Sequence, residues 1–169
     1  MAWRLRSAEA RYGASVHDGP AVVPVDVQRP DVVSLVDELT AELAGAGYTA
    51  EQTFGYSAER LAPSGVHLVG AEVARVLVGI GGVELQDGGT AELKRFYVRP
   101  EHRGSGVADA LIVSLAAYAG QRGVRVLRLE TGDRQHAALA FYRRHGFVEV
   151  TPFPPYTGSE TSICMQRDL

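Results

Sequence analysis

Val98-Arg99-Pro100-Glu101-His102-Arg103-Gly104-Ser105-Gly106-Val107-Ala108 is the stretch from which the order of the chain becomes readable. Before it, Ala91 to Val98 is rich in residues that favour strands. After it, Ala108, Leu111, Ile112, Leu115 and Ala119 repeat at the spacing of one helix face. A strand, a glycine-rich turn and a helix start form an anion site. Successive backbone N–H groups of such a turn point at one spot, and the helix dipole favours negative charge there. Gly104 and Gly106 let the backbone approach the bound group closely. The turn therefore predicts a bound phosphate or pyrophosphate.

Working outward, Ala21 to Val27 alternates and is valine-rich, so it reads as a strand. Pro30-Asp31 opens a helix with Val32, Leu35, Val36, Leu39 and Leu43 at helical spacing, closed by Gly45 and Gly47. Tyr48 to Gly65 is irregular, with a short helix expected around Ser57 to Leu61, and its length suits a substrate-side loop. Val66 to Val73 and Val76 to Leu85 form an expected antiparallel hairpin about Ala74-Arg75, and Asp87-Gly88-Gly89 turns the chain into Thr90 to Val98. A helix over Ser105 to Arg122 stops at Gly123, a strand follows over Val124 to Glu130, and a helix over Gln135 to His145 stops at Gly146. Phe147 to Val150 and Ser162 to Gln166 close the chain as strands around the Pro-rich loop Thr151 to Gly158. The expected fold class is an α/β sandwich with a single mixed, mostly antiparallel central sheet flanked by helices.

Composition narrows the function. The chain has 169 residues, 46% hydrophobic and 22% charged, as expected of one globular domain with a sizeable core. We expect residues 1–20, with Arg4, Arg6 and Arg11, to form an exposed arm, and 21–169 to form that domain. A net charge of −3 argues against nucleic acid as partner, and the apolar runs are too short for a membrane span. The single cysteine, Cys164, excludes an internal disulfide and a cysteine zinc cluster and reads as a buried small hydrophobe. The five histidines are scattered without metal-ligand spacing, so no metal is expected. The expected compartment is the cytoplasm.

G-x-G alone is weak. A dinucleotide site wants a third glycine where Asp109 stands, and no lysine completes a phosphate-binding loop of the P-loop kind. Two motifs together are specific. Arg103-Gly104-Ser105-Gly106-Val107-Ala108, preceded by Val98-Arg99-Pro100, resembles the R/Q-x-x-G-x-G/A signature of the GNAT family of N-acetyltransferases. Ala138-Leu139-Ala140-Phe141-Tyr142-Arg143-Arg144-His145-Gly146-Phe147 is similar to that family's A-x-x-F-Y-x-x-x-G-F segment, in the right order downstream. The resemblance covers Val66 to Val150 well and the rest by pattern.

The resemblance implies acetyl-CoA as co-substrate. Its pyrophosphate would meet the backbone N–H groups of Arg103, Gly104, Ser105, Gly106, Val107 and Ala108, with the Arg103 side chain assisting. The pantetheine arm would add like a strand to Phe96, Tyr97 and Val98, where the family's motif strand splays from its neighbour across a bulge. One N–H of this stretch would polarise the thioester carbonyl. Many family members carry Asn where this chain has Gln135, which keeps the amide one methylene further out. An alkyl amine, with a pKa of about 10.4, must lose a proton before it attacks. Tyr142 matches the family's general acid. For the base the expectation is Glu92 on the motif strand or an ordered water, with Glu84 and Glu130 as competing carboxylates. Tyr156 is a further candidate for the acceptor wall. The expected activity is direct transfer of acetyl to a primary amine; the acidic balance fits a cationic acceptor without choosing among them, a small-molecule amine is the leading acceptor, with a peptide N-terminus or a non-catalytic CoA sensor as alternatives, and a homodimer is expected by analogy.

Overall fold

A computed structural model describes residues 19–53 and 57–169, so the expected arm and His17 lie almost wholly outside the described residues. Seven strands form one sheet: β1 (Ala21–Pro24), β2 (His67–Val73), β3 (Val76–Gln86), β4 (Thr90–Val98), β5 (Val126–Gly132), β6 (Val148–Glu149) and β7 (Ser162–Asp168). Their order across the sheet is β1-β2-β3-β4-β5-β7-β6. Every neighbouring pair is antiparallel except β4 with β5. The helices are α1 (Pro30–Gly45), α2 (Ala58–Leu61), α3 (Val107–Gly120) and α4 (His136–Arg144).

The helices cover both faces. Leu111, Ile112 and Leu115 of α3 and Leu139 and Tyr142 of α4 pack with Val69, Val83, Leu93, Leu127 and Met165 in one core. Val32, Leu35 and Val36 of α1 pack with Leu61, Leu68, Ile80 and Tyr97 in the other. This is the sandwich expected from the period-2 strands and period-3.6 helices.

The local signals act where they stand. Ala74 and Arg75 both take positive φ in the two-residue hairpin turn between Val73 and Val76, the geometry that matches strand twist. Gly123 and Gly146 take positive φ, and the following residues reach back from Val124 to the Ala119 carbonyl and from Phe147 to the Tyr142 carbonyl. These are the glycine-terminated helix ends read from the sequence. Helix α3 begins two residues later than expected, because Gly104 and Gly106 hold left-handed backbone and keep Ser105 out of the helix.

Candidate active site

The site opens where the sheet comes apart. Strand β4 pairs with β5 only at Thr90↔Val126, Ala91↔Leu127 and Glu92↔Arg128. Beyond these, β4 keeps β3 on one side and β5 keeps β7 on the other, so their facing edges separate as a wedge. A bulge drives the separation. Gly82 pairs with Lys94 and Ile80 with Tyr97, so Arg95 and Phe96 together face Gly81. Arg95 takes a φ of 50°, a left-handed conformation that costs a non-glycine residue on the order of 1–2 kcal/mol. A Cβ on Gly81 would stand 2.9 Å from Leu115 and 3.0 Å from Phe96, so glycine leaves room for the Phe96 ring against α3.

The wedge leads into a cavity of about 430 Å³, lined along β4 by Leu93 to Val98 and along β5 by Leu129 to Gly132. Gly104, Gly106, Ala108 and Asp109 line its loop end, and Glu130, Tyr142 and Tyr156 its interior. Gln135, which ends the β5–α4 turn, also lines it. Tyr48, beyond α1, ties that turn down by donating to the Asp133 carboxylate at 3.0 Å and accepting the Arg134 N–H at 2.7 Å. Gly132 is required there, since a Cβ would lie 2.3 Å from the Tyr48 oxygen.

At the loop end, Gly106 caps α3 with a φ of 86°, and the first helical bond runs from Ala110 to the Gly106 carbonyl. The N–H groups of Gly106, Val107, Ala108 and Asp109 therefore have no acceptor within the helix. Nothing lies within 4 Å of where a Cβ would stand on Gly104 or Gly106. The open turn and its donors suit a phosphate group. The side chains of this segment are engaged with the protein itself. The Ser105 hydroxyl donates to the His102 carbonyl at 2.6 Å, and Val107 is buried in the core. The Arg103 guanidinium donates to the Val98 carbonyl at 2.8 Å and to Glu42 of α1 at 2.6 Å. Asp109 in the first turn accepts or shares a hydrogen bond with His145 at 2.8 Å, a carboxylate partner that spacing did not reveal.

The α1 face carries the polar groups. Leu127 and Leu129 point into the α3–α4 core, so alternation sends Arg128 and Glu130 to the opposite face, beside Glu92 and Lys94. Glu92 is 1% exposed and does not line the cavity. It accepts from Lys94 Nζ at 2.6 Å, from the Tyr156 hydroxyl at 2.5 Å and from Gln86 at 3.0 Å. Lys94 also stands 3.8 Å from Glu84. Glu92 is thus a buried, fully engaged acceptor beneath the site.

Glu130 stands differently. It lines the cavity, and burial pushes its carboxyl up to about 7, with the Glu92 charge adding to the push. The nearby Ser162 hydroxyl, Lys94 and Arg95 pull the other way, although Ser162 does not reach hydrogen-bonding geometry with any group among the described residues. Tyr142 also lines the cavity, inside an aromatic cluster with Phe96, Phe141 and Phe147. Burial first, and the Glu130 charge second, raise its phenol far above the ordinary value, so it stays protonated. Burial and its bond to Glu92 do the same for Tyr156.

Residues 32–147, more than half the chain, match the acetyltransferase (GNAT) family. The chain belongs to the GNAT family. It is an acetyl-CoA-dependent acyltransferase, as its N-acetyltransferase relatives are. An IAA acetyltransferase of Azospirillum brasilense is 33% identical over 139 residues, spanning 82% of this chain and 90% of its own. A Klebsiella pneumoniae protein assigned as an acyl-CoA N-acyltransferase is 31% identical, with a TM-score of 0.75 over 89% of this chain and 97% of its own. The PaiA N-acetyltransferase of Thermoplasma acidophilum, solved with coenzyme A, shares the fold at a TM-score of 0.74 and 16% identity, over 89% of this chain and 99% of its own. As expected from the motifs, this GNAT chain carries one mixed sheet flanked by helices.

Of the residues singled out from the sequence, the cavity gathers Phe96, Tyr97, Val98, Arg103, Gly104, Gly106, Ala108, Gln135 and Tyr142. Ser105, Val107 and Glu92 stand outside its lining. Sequence reasoning passed over Lys94 and Arg95. Two adjacent cations in the middle of a largely buried strand were the available signal, since a regular strand would send one of them to each face.

Proposed function

We propose that this GNAT enzyme acetylates the primary amine of a small molecule by direct attack, with Glu130 as the base and Tyr142 as the donor to the departing sulfur. Glu130 carries the reading. It is the carboxyl that lines the cavity deep in the wedge, and its value of about 7 suits a base at neutral pH. Glu92, held by Lys94, Tyr156 and Gln86, is a positioning residue for that floor.

The open β4 edge at Phe96, Tyr97 and Val98 suits an extended pantetheine arm, and the N–H groups of residues 104–109 suit its pyrophosphate. Arg103 already caps the Val98 carbonyl, so its role there is to shape the edge. Bound acetyl-CoA supplies an activated acyl group and a thiolate leaving group. Glu130 accepts the proton that the ammonium form must lose. Tyr142 presents its O–H where negative charge grows on sulfur, and its burial keeps that proton in place over the working pH range. The Phe96–Phe141–Tyr142 cluster excludes water from the same point.

The test is release of free CoA thiol from acetyl-CoA with a panel of primary amines, followed by mass analysis of the amine. Thiol release matched by acetylated amine, lost in Glu130→Gln, supports the assignment. Release that depends on no amine, or that Glu130→Gln leaves intact, overturns it.

A further inference from the structure

Four basic residues line the cavity: Lys94, Arg95, Arg103 and Arg144. Three are matched by carboxylates. Lys94 pairs with Glu92 and Glu84, Arg103 with Glu42, and Arg144 stands 3.7 Å from Asp109. The Arg95 guanidinium has no hydrogen bond and no ion pair among the described residues. It is nevertheless largely withdrawn from solvent, and the Glu130 carboxyl lies within electrostatic range of it. Glu130 and Tyr156 line the same cavity interior that Arg95 lines.

A withdrawn, unpaired guanidinium beside the base is costly unless something arrives to pair with it. The bulge holds it there. Arg95 keeps its left-handed backbone where a regular strand would have turned the side chain into a packed face. Arginine presents a planar fork of donors that matches a carboxylate two bonds at a time. We infer that the acceptor is an amino acid, whose carboxylate is bound by Arg95 while its amine is presented to Glu130. This rests on the acceptor reading above and narrows it. Arg95 becomes a specificity-determining residue, and the chemistry selects amines that carry a carboxylate over the same amines without one.

The test compares L-leucine, L-methionine and L-phenylalanine with their carboxamides, which keep the amine and side chain but lose the negative charge. Thiol release and product mass are followed for the wild type, Arg95→Gln and Arg95→Lys. The wild type should use at least one acid with kcat/KM roughly 10–100 times that for its amide, the range expected for hydrogen bonds to a charged group. Arg95→Gln should lose that factor, bringing acid and amide to similar kcat/KM when both are assayed above the titration of Glu130, and Arg95→Lys should restore part of it. A thermal melt with CoA should show the same upward displacement in all three proteins.

Amides used as well as acids by the wild type overturn the inference without any variant, and leave the amine reading standing. Equal loss on acid and amide in Arg95→Gln, or a loss of CoA binding, also overturns it, because Arg95 would then serve the cofactor or the fold. Acetylation of no amine at all, with CoA still bound, overturns both readings together.

Discussion

Replacing Glu130 by Gln should move activity and stability in opposite directions. The carboxyl is displaced from 4.5 to about 7 by its surroundings, and at about 1.36 kcal/mol per pH unit this corresponds to about 3 kcal/mol. Between these values the native protein keeps a proton that the unfolded chain has released. Stability from the protonated carboxyl is therefore fully present below pH 4.5 and is lost as pH rises through about 7. Glutamine is isosteric and cannot ionise, so the variant escapes this loss. Its stability relative to wild type should grow by about 2 kcal/mol from about pH 5.5 to about pH 8.5. That is a relative Tm gain of roughly 4–8 °C for a chain of this size. Wild-type kcat/KM should rise with pH and level off above about 7, and the variant should lose roughly 10²–10⁴-fold together with that rising limb. Thermal melts and thiol-release assays across the pH range read both effects. A stability gap that does not change with pH, or a variant that keeps the wild-type pH–rate curve, would refute the placement of Glu130 as a buried base.

Tyr142→Phe should lower kcat about 10²-fold or more while leaving CoA affinity within about twofold, as titration calorimetry and steady-state kinetics would show. Lys94→Met leaves Glu92 as a buried carboxylate with one cation fewer, and should cost about 3–5 kcal/mol in urea unfolding; a cost under about 1 kcal/mol would mean that the floor is not a tight ion pair. In wild type, acetyl-CoA at about 100 times its Kd should add roughly 2.7 kcal/mol of stability. Gly104→Asp, which sets a negative charge among the loop donors, should abolish that gain without lowering the Tm of the free protein by more than a few degrees, because aspartate tolerates the left-handed backbone.

The scaffold was readable because local signals and the global fold agree. The hairpin turn at Ala74-Arg75, the closing glycines Gly123 and Gly146, and the helix faces of α1 and α3 each need only their own neighbours in sequence. The glycine turn before α3 was readable for the same reason, since Gly104 and Gly106 set its backbone whatever surrounds them. The polar floor was not. Whether Glu92 or Glu130 faces the cavity depends on Lys94, Gln86 and Tyr156 closing over one and not the other, and Tyr156 is 64 residues away in the chain. The bulge hid Arg95, because a strict two-residue alternation gives no sign that Arg95 and Phe96 share one partner on β3. The engagement of Arg103 by Glu42 is likewise a contact between distant elements.

The most direct measurement is a crystal structure of the protein grown with CoA. The account predicts an extended pantetheine arm bonded to the open edge of β4 at Phe96 to Val98, with the pyrophosphate on the N–H groups of residues 104–109 and the sulfur near the Tyr142 hydroxyl. A CoA molecule seated outside the β4–β5 wedge, or with its sulfur far from both Tyr142 and Glu130, would contradict it.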